Sequence, residues 1–266
     1  MLFRKLGYDI SPIINNKELK DFSKNEFKLI NSVKFFTLTS PERMYALIEA
    51  VRYVARNQIS GDIVECGVWK GGSMMLAAKT LMELDNTDYD LYLFDTFEGT
   101  TKPTEIDKDY LGNSMLTTWE NEFEGKEKLP ASADFVSLEE VQKHLFSTKY
   151  PKDRIHFIKG KVEDTIPKDA PEKISILRLD TDWYESTKHE LEYLFPRLSS
   201  GGILIIDDYG HFQGSKKAVD EYFAKNKIKY FLNRIDNDDL NTQFKSKYLI
   251  DDFKNNRKVI RLDWEK

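Results

Sequence analysis

Short apolar runs alternate with amphipathic stretches along most of the chain. One amphipathic stretch starts at Ser40-Pro41, an N-cap followed by proline at the first helical position. Another, from Ser186 to Leu198, is closed by Gly201-Gly202. Strands that alternate with helices predict a doubly wound, mostly parallel sheet. Five apolar runs have the length of buried strands, at residues 62–66, 91–94, 155–158, 174–177 and 203–206, and residues 230–235 and 259–262 are predicted as terminal strands.

Two parts of the chain do not fit this alternation. The stretch 100–151 is too long for a simple connection and contains the capping-box start Ser137-Leu138-Glu139-Glu140. We expect it to form a lid at the ligand edge of the sheet. Residues 1–39 are polar and aromatic, and they predict either a second cover over the site or an arm that joins two copies in a homodimer. The expected organisation is one domain over residues 1–266 with these two additions.

Clustered carboxylates follow two of the predicted strands. Asp180 and Asp182 come after the fourth strand, and Asp207 and Asp208 come directly after the fifth. In an open parallel sheet, ligands bind at the carboxyl ends of the strands, so these side chains are expected to converge. They would repel one another unless a hard cation lay between them, and oxygen ligands suit Mg²⁺. The alternative is that the pair at 207–208 is only a strand-end turn and that Asp182 is a helix cap.

The first strand–turn–helix unit indicates the class of ligand. Residues 65–73, Glu-Cys-Gly-Val-Trp-Lys-Gly-Gly-Ser, put glycines where a backbone must approach a ligand closely. The pattern is not G-x-G-x-x-G, which disfavours a dinucleotide pyrophosphate. Glu65 stands two residues before Gly67 and suits a ligand with an ammonium group, such as the amino-acid part of S-adenosylmethionine. The alternative is a tight strand–helix turn without a ligand.

Further residues are expected to complete a cofactor site. Asp95 ends the second strand, where acidic residues commonly take ribose hydroxyls. Residues 160–164 follow the third strand and include Glu163 and Asp164, which are well placed for an adenine ring. Trp69 is predicted either to stack on the ligand or to pack in the core. The other expected contacts are Ser73 at the helix start, and Thr39 or Ser40 closing over the site.

Four segments, in chain order, resemble the macrocin O-methyltransferase (TylF-like) family. They are residues 65–72, 94–99, 180–187 and 207–211, and the resemblance extends over roughly residues 37–225. It implies the Rossmann-like class I methyltransferase fold, a seven-stranded, mostly parallel α/β sheet whose last strand is antiparallel. It also implies methylation of a hydroxyl, often on a sugar of a natural product, with S-adenosylmethionine and Mg²⁺.

The same resemblance implies roles for individual carboxylates. Asp180, Asp207 and Asp208 match metal-ligand positions, with Asp180 also beside the cofactor, and Asp182 matches a candidate base. An alcohol is a poor nucleophile at neutral pH, so a metal that lowers its pKa and a base that accepts its proton would suit the reaction. His211 is the second candidate base, and its alternative role is packing or capping.

Composition restricts the other possibilities. The net charge is −5 and the sequence pI is about 5.6, so nothing indicates a nucleic-acid partner. The single cysteine, Cys66, excludes an intrachain disulfide and a Cys-rich zinc site. No apolar run approaches the roughly 20 residues of a membrane-spanning helix. The N-terminus lacks the apolar core of a signal peptide, which favours a cytoplasmic protein.

The sequence thus predicts an S-adenosylmethionine- and Mg²⁺-dependent O-methyltransferase that acts on a hydroxyl of a small molecule or sugar. Two alternatives stay open. An NAD-dependent oxidoreductase could use a similar sheet, although the missing G-x-G and the clustered aspartates disfavour it. A noncatalytic relative that binds only the cofactor is the second alternative.

Overall fold

The computed structural model describes residues 22–123, 136–229, 232–235, 247–250 and 258–262. Residues 1–21 of the expected N-terminal cover and residues 124–135 of the expected lid lie outside this part of the chain. The helices are α1 Lys24–Val33, α2 Pro41–Arg56, α3 Gly72–Glu83, α4 Met115–Phe123, α5 Leu138–Ser147, α6 Val162–Thr165, α7 Tyr184–Tyr193 and α8 Gln213–Lys225. The strands are β1 Asp62–Cys66, β2 Leu91–Asp95, β3 Ile155–Lys159, β4 Ile174–Leu179, β5 Leu198–Ile206, β6 Leu232–Arg234, β7 Lys247–Ile250 and β8 Lys258–Leu262.

Five parallel strands form the body of the sheet, in the order β3-β2-β1-β4-β5. Cys66 at the end of β1 lies opposite Phe94 on one side and Leu179 on the other. Leu179 in turn lies opposite Ile206. Because these strands end in register, the residues that follow them emerge at one edge of the sheet. The α/β class and the parallel sheet predicted from the sequence are confirmed.

The predicted number of seven strands, with the last one antiparallel, is not confirmed. Three short strands extend the described sheet to eight in the order β5-β8-β7-β6. β7 runs antiparallel to β5 and to β8, whereas β8, the last of the described strands, pairs parallel with β5. β7 was missed because only Tyr248-Leu249-Ile250 are apolar there, and charged residues flank them on both sides. Three apolar residues are too short a run to distinguish from a loop.

Helices cover both faces of the sheet because the side chains of a strand alternate between faces. In β1, Ile63 belongs to a core with α1, α2, α3 and α5, whereas Val64 belongs to a second core with α7 and α8. Leu76 of α3 and Leu191 of α7 are both fully buried, one in each core. This is the doubly wound arrangement that the alternating pattern predicted.

Both expected additions contribute a helix, α1 or α5, to the first core. Leu29 and Ile30 of α1 are buried in the first core, as are Val141 and Leu145 of α5. A Cβ on Gly71 would lie 2.6 Å from Leu145, which shows how closely α5 packs on the turn before α3. α5 therefore packs in the helical layer, and the lid expected over residues 100–151 remains a prediction. Within the described residues, no helix has both the length and the apolar content needed to cross a membrane.

Candidate active site

The aspartates after β4 and β5 converge at the carboxyl edge of the sheet. The amide of Asp180 donates to the carbonyl oxygen of Cys66 (2.8 Å), and the amide of Asp207 donates to that of Leu179 (2.9 Å). These bonds extend the parallel ladders by one residue and fix where both side chains leave the backbone. Carboxylate oxygens of Asp180, Asp207 and Asp208 lie within 4.8 Å of one another. The predicted convergence of these three residues is therefore confirmed.

The guanidinium of Arg178 lies between the ends of β1, β4 and β5 and contacts a carboxylate from each. Its Nη1 pairs with Glu65 and lies 2.8 Å from Oδ2 of Asp180, and its Nη2 lies 2.9 Å from Oδ1 of Asp207. The side chain of Arg178 is only 3% exposed. Burial alone would lower the pKa of its guanidinium, but the charges of the three carboxylates outweigh burial and raise the pKa. Arg178 is therefore a permanent cation in the centre of the site.

A second arginine completes the ionic groups at this edge. Arg43 of α2 is buried, and its Nη1 lies 3.9 Å from Oδ2 of Asp207. We refer to the six ionic side chains that meet here as the ionic cluster: Arg43, Glu65, Arg178, Asp180, Asp207 and Asp208. The three aspartates of this cluster offer only carboxylate oxygens, the ligands that a hard divalent cation such as Mg²⁺ prefers. The residues present therefore fit such an ion.

Asp182 lies in a tight turn between β4 and α7. Its φ of +69° is in the left-handed region, which aspartate tolerates better than most residues. The amide of Asp182 donates to Oδ2 of Asp208 (3.1 Å), and the amide of Trp183 donates to the carbonyl oxygen of Thr181 (2.8 Å). These bonds hold the turn against the strand-end aspartates.

A buried carboxyl group supports the same turn from α7. The hydroxyl of Thr181 donates to Oε1 of Glu190 (2.9 Å), and Glu190 is completely buried. Burial raises the pKa of Glu190 well above its usual value, the hydrogen bond from Thr181 opposes this, and the charges of Glu163, Asp180 and Asp182 raise it further. The raised pKa favours the neutral form of Glu190 beside these carboxyl groups.

The glycine turn after β1 packs against both neighbouring strand ends. Gly67 has a φ of +82°, and a Cβ at this position would lie 2.0 Å from the backbone oxygen of Asp180. On the other side, Oδ2 of Asp95 accepts hydrogen bonds from the amides of Val68 (2.6 Å) and Trp69 (3.2 Å). Asp95 thus holds the turn itself, in addition to its expected role toward a ribose.

A cavity of about 420 Å³ opens at this edge. Nine of the residues predicted for the site line it, and they come from six different parts of the chain: Thr39, Gly67, Trp69, Ser73, Asp95, Glu163, Asp180, Asp182 and Asp207. β2 and β3 lie on one side of β1, and β4 and β5 lie on the other. The predicted cofactor residues after β2 and β3 and the predicted metal ligands therefore occupy opposite sides of the glycine turn.

Five predicted site residues do not line the cavity. The hydroxyl of Ser40 caps α2 by accepting from the amide of Arg43 (3.2 Å). Glu65 is buried against Arg178, so a direct contact with the ammonium group of a ligand stays a prediction. Asp164 is exposed on α6, and Asp208 is buried behind the wall. His211 packs against the rings of Tyr110 and Phe212, which agrees with its alternative role in packing.

The insertion was expected to lie at the ligand edge of the sheet, but sequence reasoning named none of its residues for the site. Met115, Thr118 and Trp119 of α4 line the cavity. So does Trp183, whose Nε1 donates to the carbonyl oxygen of Thr101 (2.9 Å) and ties the insertion to the start of α7. The only sequence signal was an aromatic residue in a short amphipathic stretch, which is equally typical of a core helix.

Comparisons with known proteins identify the family. The family model described as "Macrocin-O-methyltransferase (TylF)" matches residues 30–246. Demethyldecarbamoylnovobiocin O-methyltransferase from Streptomyces niveus is 33% identical over 202 residues, which cover 76% of this chain and 73% of that protein. Mycinamicin III 3''-O-methyltransferase from Micromonospora griseorubida is 31% identical, with 75% of each chain covered.

A solved structure agrees with the sequence comparisons. The O-methyltransferase NovP superimposes with a TM-score of 0.66 at 32% identity, covering 76% of this chain and 79% of that one. The matched region includes the glycine turn and all three strand-end aspartates, because residues 30–246 contain both. The chain belongs to the macrocin O-methyltransferase (TylF) family and is an enzyme of the methyltransferase class.

Proposed function

We propose that this enzyme transfers a methyl group from S-adenosylmethionine to a hydroxyl of a sugar or another natural product, with Mg²⁺ at the strand-end aspartates. The observation that carries the proposal is the meeting of two sets of residues in one cavity. The glycine turn, Asp95 and Glu163 line one side of it, and Asp180, Asp182 and Asp207 line the other. A donor and an acceptor can therefore be held next to each other, and alignment is most of what methyl transfer requires.

The donor side is assigned to the segments after β1, β2 and β3. Trp69 and Ser73 line the cavity around the glycine turn, and Thr39 approaches it from the segment before α2. S-adenosylmethionine would bring a methyl group that is already activated as a sulfonium. The protein therefore has to orient the cofactor and exclude water, and the buried hydroxyl groups of Thr39 and Ser73 offer polar contacts for this.

The acceptor side is assigned to the carboxylates and to α4. Held by Asp180, Asp207 and Asp208, Mg²⁺ would supply the Lewis acidity that lowers the pKa of an alcohol. We assign the hydroxyl proton to Asp182, because Asp182 lines the cavity and the other candidate base, His211, does not. Trp119 and Trp183 add aromatic faces on which a sugar ring or an aromatic acceptor can pack.

The relatives indicate the class of acceptor. The names of two relatives specify the natural products that those proteins methylate, and a third is named for methylation of a rhamnosyl group of a tetracenomycin. For this chain we propose a hydroxyl of a glycosylated natural product or a related glycan. The residues that line the cavity include both aromatic rings and carboxylates. This combination suits an uncharged polyhydroxylated acceptor better than an anionic one.

The proposal is tested by calorimetry and by turnover with a panel of hydroxylated glycosides that includes demethyldecarbamoylnovobiocin and mycinamicin III. We expect binding of S-adenosylmethionine and no comparable binding of NAD. Asp207→Asn and a chelator should each abolish methyl transfer while the affinity for S-adenosylmethionine changes less than twofold, because other residues hold the cofactor. Asp182→Asn should lower kcat by about 10²–10⁴, the usual contribution of a general base.

The control is Asp153→Asn, which removes an exposed carboxylate before β3, at the opposite edge of the sheet. It should leave both binding and turnover unchanged. Methyl transfer that survives both chelation and Asp207→Asn would contradict the role of the metal. NAD binding in place of S-adenosylmethionine would contradict the proposed reaction itself.

A further inference from the structure

Two buried arginines lie beside proposed ligands of the metal in the described part of the chain, and Arg178 makes the shorter contacts. It pairs with Glu65, with Asp180 at 2.8 Å and with Asp207 at 2.9 Å. We propose that Arg178 is a positioning residue for the divalent cation: it holds Asp180 and Asp207 in place before the cation binds, and together with Arg43 it sets the charge of the ionic cluster. This inference rests on the proposed metal site.

The sheet itself fixes the guanidinium between the strand ends. Glu65 of β1 lies directly opposite Arg178 of β4, and Arg178 lies opposite Ile205, two residues before Asp207. The planar fork of arginine can contact carboxylates in several directions at once, which a lysine ammonium on a flexible stem does not reproduce. Arg178 therefore connects residues that come from three neighbouring strands.

Contact with Arg178 is compatible with binding of a cation. Nη1 lies beside Oδ2 of Asp180, and Nη2 lies beside Oδ1 of Asp207, so these two contacts each use one oxygen of the carboxylate. An ionised carboxylate has two oxygens and about four lone-pair sites. Each aspartate can therefore accept from the guanidinium and bind a divalent cation at the same time, so Arg178 supports the ligands without replacing the ion.

The charge of the ionic cluster also matches one divalent cation. With every carboxylate ionised, its four acidic side chains contribute −4 and its two arginines contribute +2, which leaves −2. Without the arginines the four carboxylates would carry −4 in a largely buried site, which is strongly unfavourable. With them, one Mg²⁺ brings the cluster to neutrality.

The alternative is a purely structural role, in which Arg178 joins β1, β4 and β5 and has no influence on the cation. The two roles differ in the affinity for Mg²⁺. We would titrate MgCl₂ alone into metal-free protein by calorimetry, without S-adenosylmethionine. Arg178→Lys keeps the charge but loses the fork, so Mg²⁺ should bind at least tenfold more weakly.

The matched control is Arg52→Lys. Nη1 of Arg52 also bridges two carboxylates, Oε1 of Glu26 at 2.5 Å and Oε1 of Glu49 at 2.7 Å, but these lie on α1 and α2 and outside the ionic cluster. The affinity for Mg²⁺ should stay within twofold of wild type in this variant. Equal affinities of the Arg178→Lys and Arg52→Lys variants would overturn the inference.

Two further variants test the charge and stay informative if Arg178→Lys does not fold. Arg43→Gln makes the cluster more negative, −3, and should bind Mg²⁺ several times more tightly. Glu65→Gln keeps a hydrogen-bond acceptor for Arg178 but reduces the charge to −1, so it should bind several times more weakly. If both variants bind Mg²⁺ more tightly, if both bind it more weakly, or if neither differs from wild type, the proposed role of charge is overturned.

The same titrations separate this inference from the proposed function. Wild-type protein that binds no Mg²⁺ would overturn both. Wild-type binding that Asp207→Asn abolishes and Arg178→Lys leaves unchanged would overturn only the role of Arg178. Wild-type binding that both substitutions weaken, with Arg52→Lys at the wild-type affinity, supports both.

Discussion

The sheet carries an arginine–carboxylate group at each of its two edges, and the two groups differ in burial. At the carboxyl edge, Arg178 is 3% exposed and contacts three carboxylates. At the opposite edge, Arg154 is 39% exposed and pairs with Asp90 at 2.8 Å, while His156 lies 2.8 Å from the other oxygen of Asp90. Both groups have short contacts, so distance alone does not distinguish them.

Burial decides what each group can do. Around Asp90, water can solvate every charge if the pair opens, so the pair is expected to be weak and sensitive to salt. Around Arg178, which is 3% exposed, water can replace a lost partner much less readily, and removal of one charge leaves the others largely buried and unbalanced. The stability of the protein is therefore expected to depend strongly on the number of charges at the carboxyl edge. Removal of a charge at the opposite edge is expected to have little effect.

The largest expected effect is on stability at the carboxyl edge. Arg178→Met leaves Glu65, Asp180 and Asp207 without their shared cation and should lower the free energy of unfolding by about 3–5 kcal/mol, the usual cost of breaking a buried pair from one side. Urea denaturation in the presence of a chelator measures this.

A loss below 1 kcal/mol would show that the carboxylates of this edge are solvated or protonated. The comparison between the two edges would then fail, since both groups would behave like surface pairs.

The second prediction concerns Glu190, the buried carboxyl group that supports the turn between β4 and α7. Burial raises its pKa in the folded state, so the folded protein keeps a proton that the unfolded chain releases above a pKa of about 4.5. Stability is therefore lost as the pH rises from that value towards the raised pKa. Glu190→Gln removes this titration and should be more stable than wild type at pH 7, with the difference growing by about 1.4 kcal/mol per pH unit across that window.

Thermal unfolding of both proteins between pH 4 and 8, without metal, measures the difference. Glu221→Gln is a suitable control, because Glu221 accepts from the hydroxyl of Tyr184 (2.7 Å) near the surface. A constant difference across the pH range would mean that Glu190 is ionised in the folded protein.

The residues that the sequence could predict are those with a local signal. The five parallel strands have apolar runs, the start of α2 has Ser40-Pro41, and the aspartates directly follow strands, so each could be located from its neighbours in the sequence. The glycine turn belongs to the same class, because the close approach of Gly67 to the backbone of Asp180 excludes any side chain.

The rest depends on register and on distant contacts. Glu65 was expected to face a ligand, but the pairing of β1 with β4 puts Arg178 opposite it, and the two residues are 113 positions apart. No local pattern contains that information. The same holds for Trp119, which reaches the cavity only through the path of the insertion, and for the short strand β7.

The smallest expected effect is at the opposite edge. Arg154→Met removes the pair with Asp90 and a hydrogen bond to the carbonyl oxygen of Asp88 (3.0 Å), yet both partners can turn to water. The free energy of unfolding should fall by less than about 1 kcal/mol, and the loss should shrink between 0.05 and 1 M NaCl as the Debye length falls from roughly 14 to 3 Å. Urea denaturation at both salt concentrations measures it.

The affinity of the Arg154→Met variant for Mg²⁺ should stay at the wild-type value, because this edge is separated from the ionic cluster by the length of the strands. A loss as large as that of Arg178→Met, or one that salt does not reduce, would mean that the number of charged partners matters more than their burial.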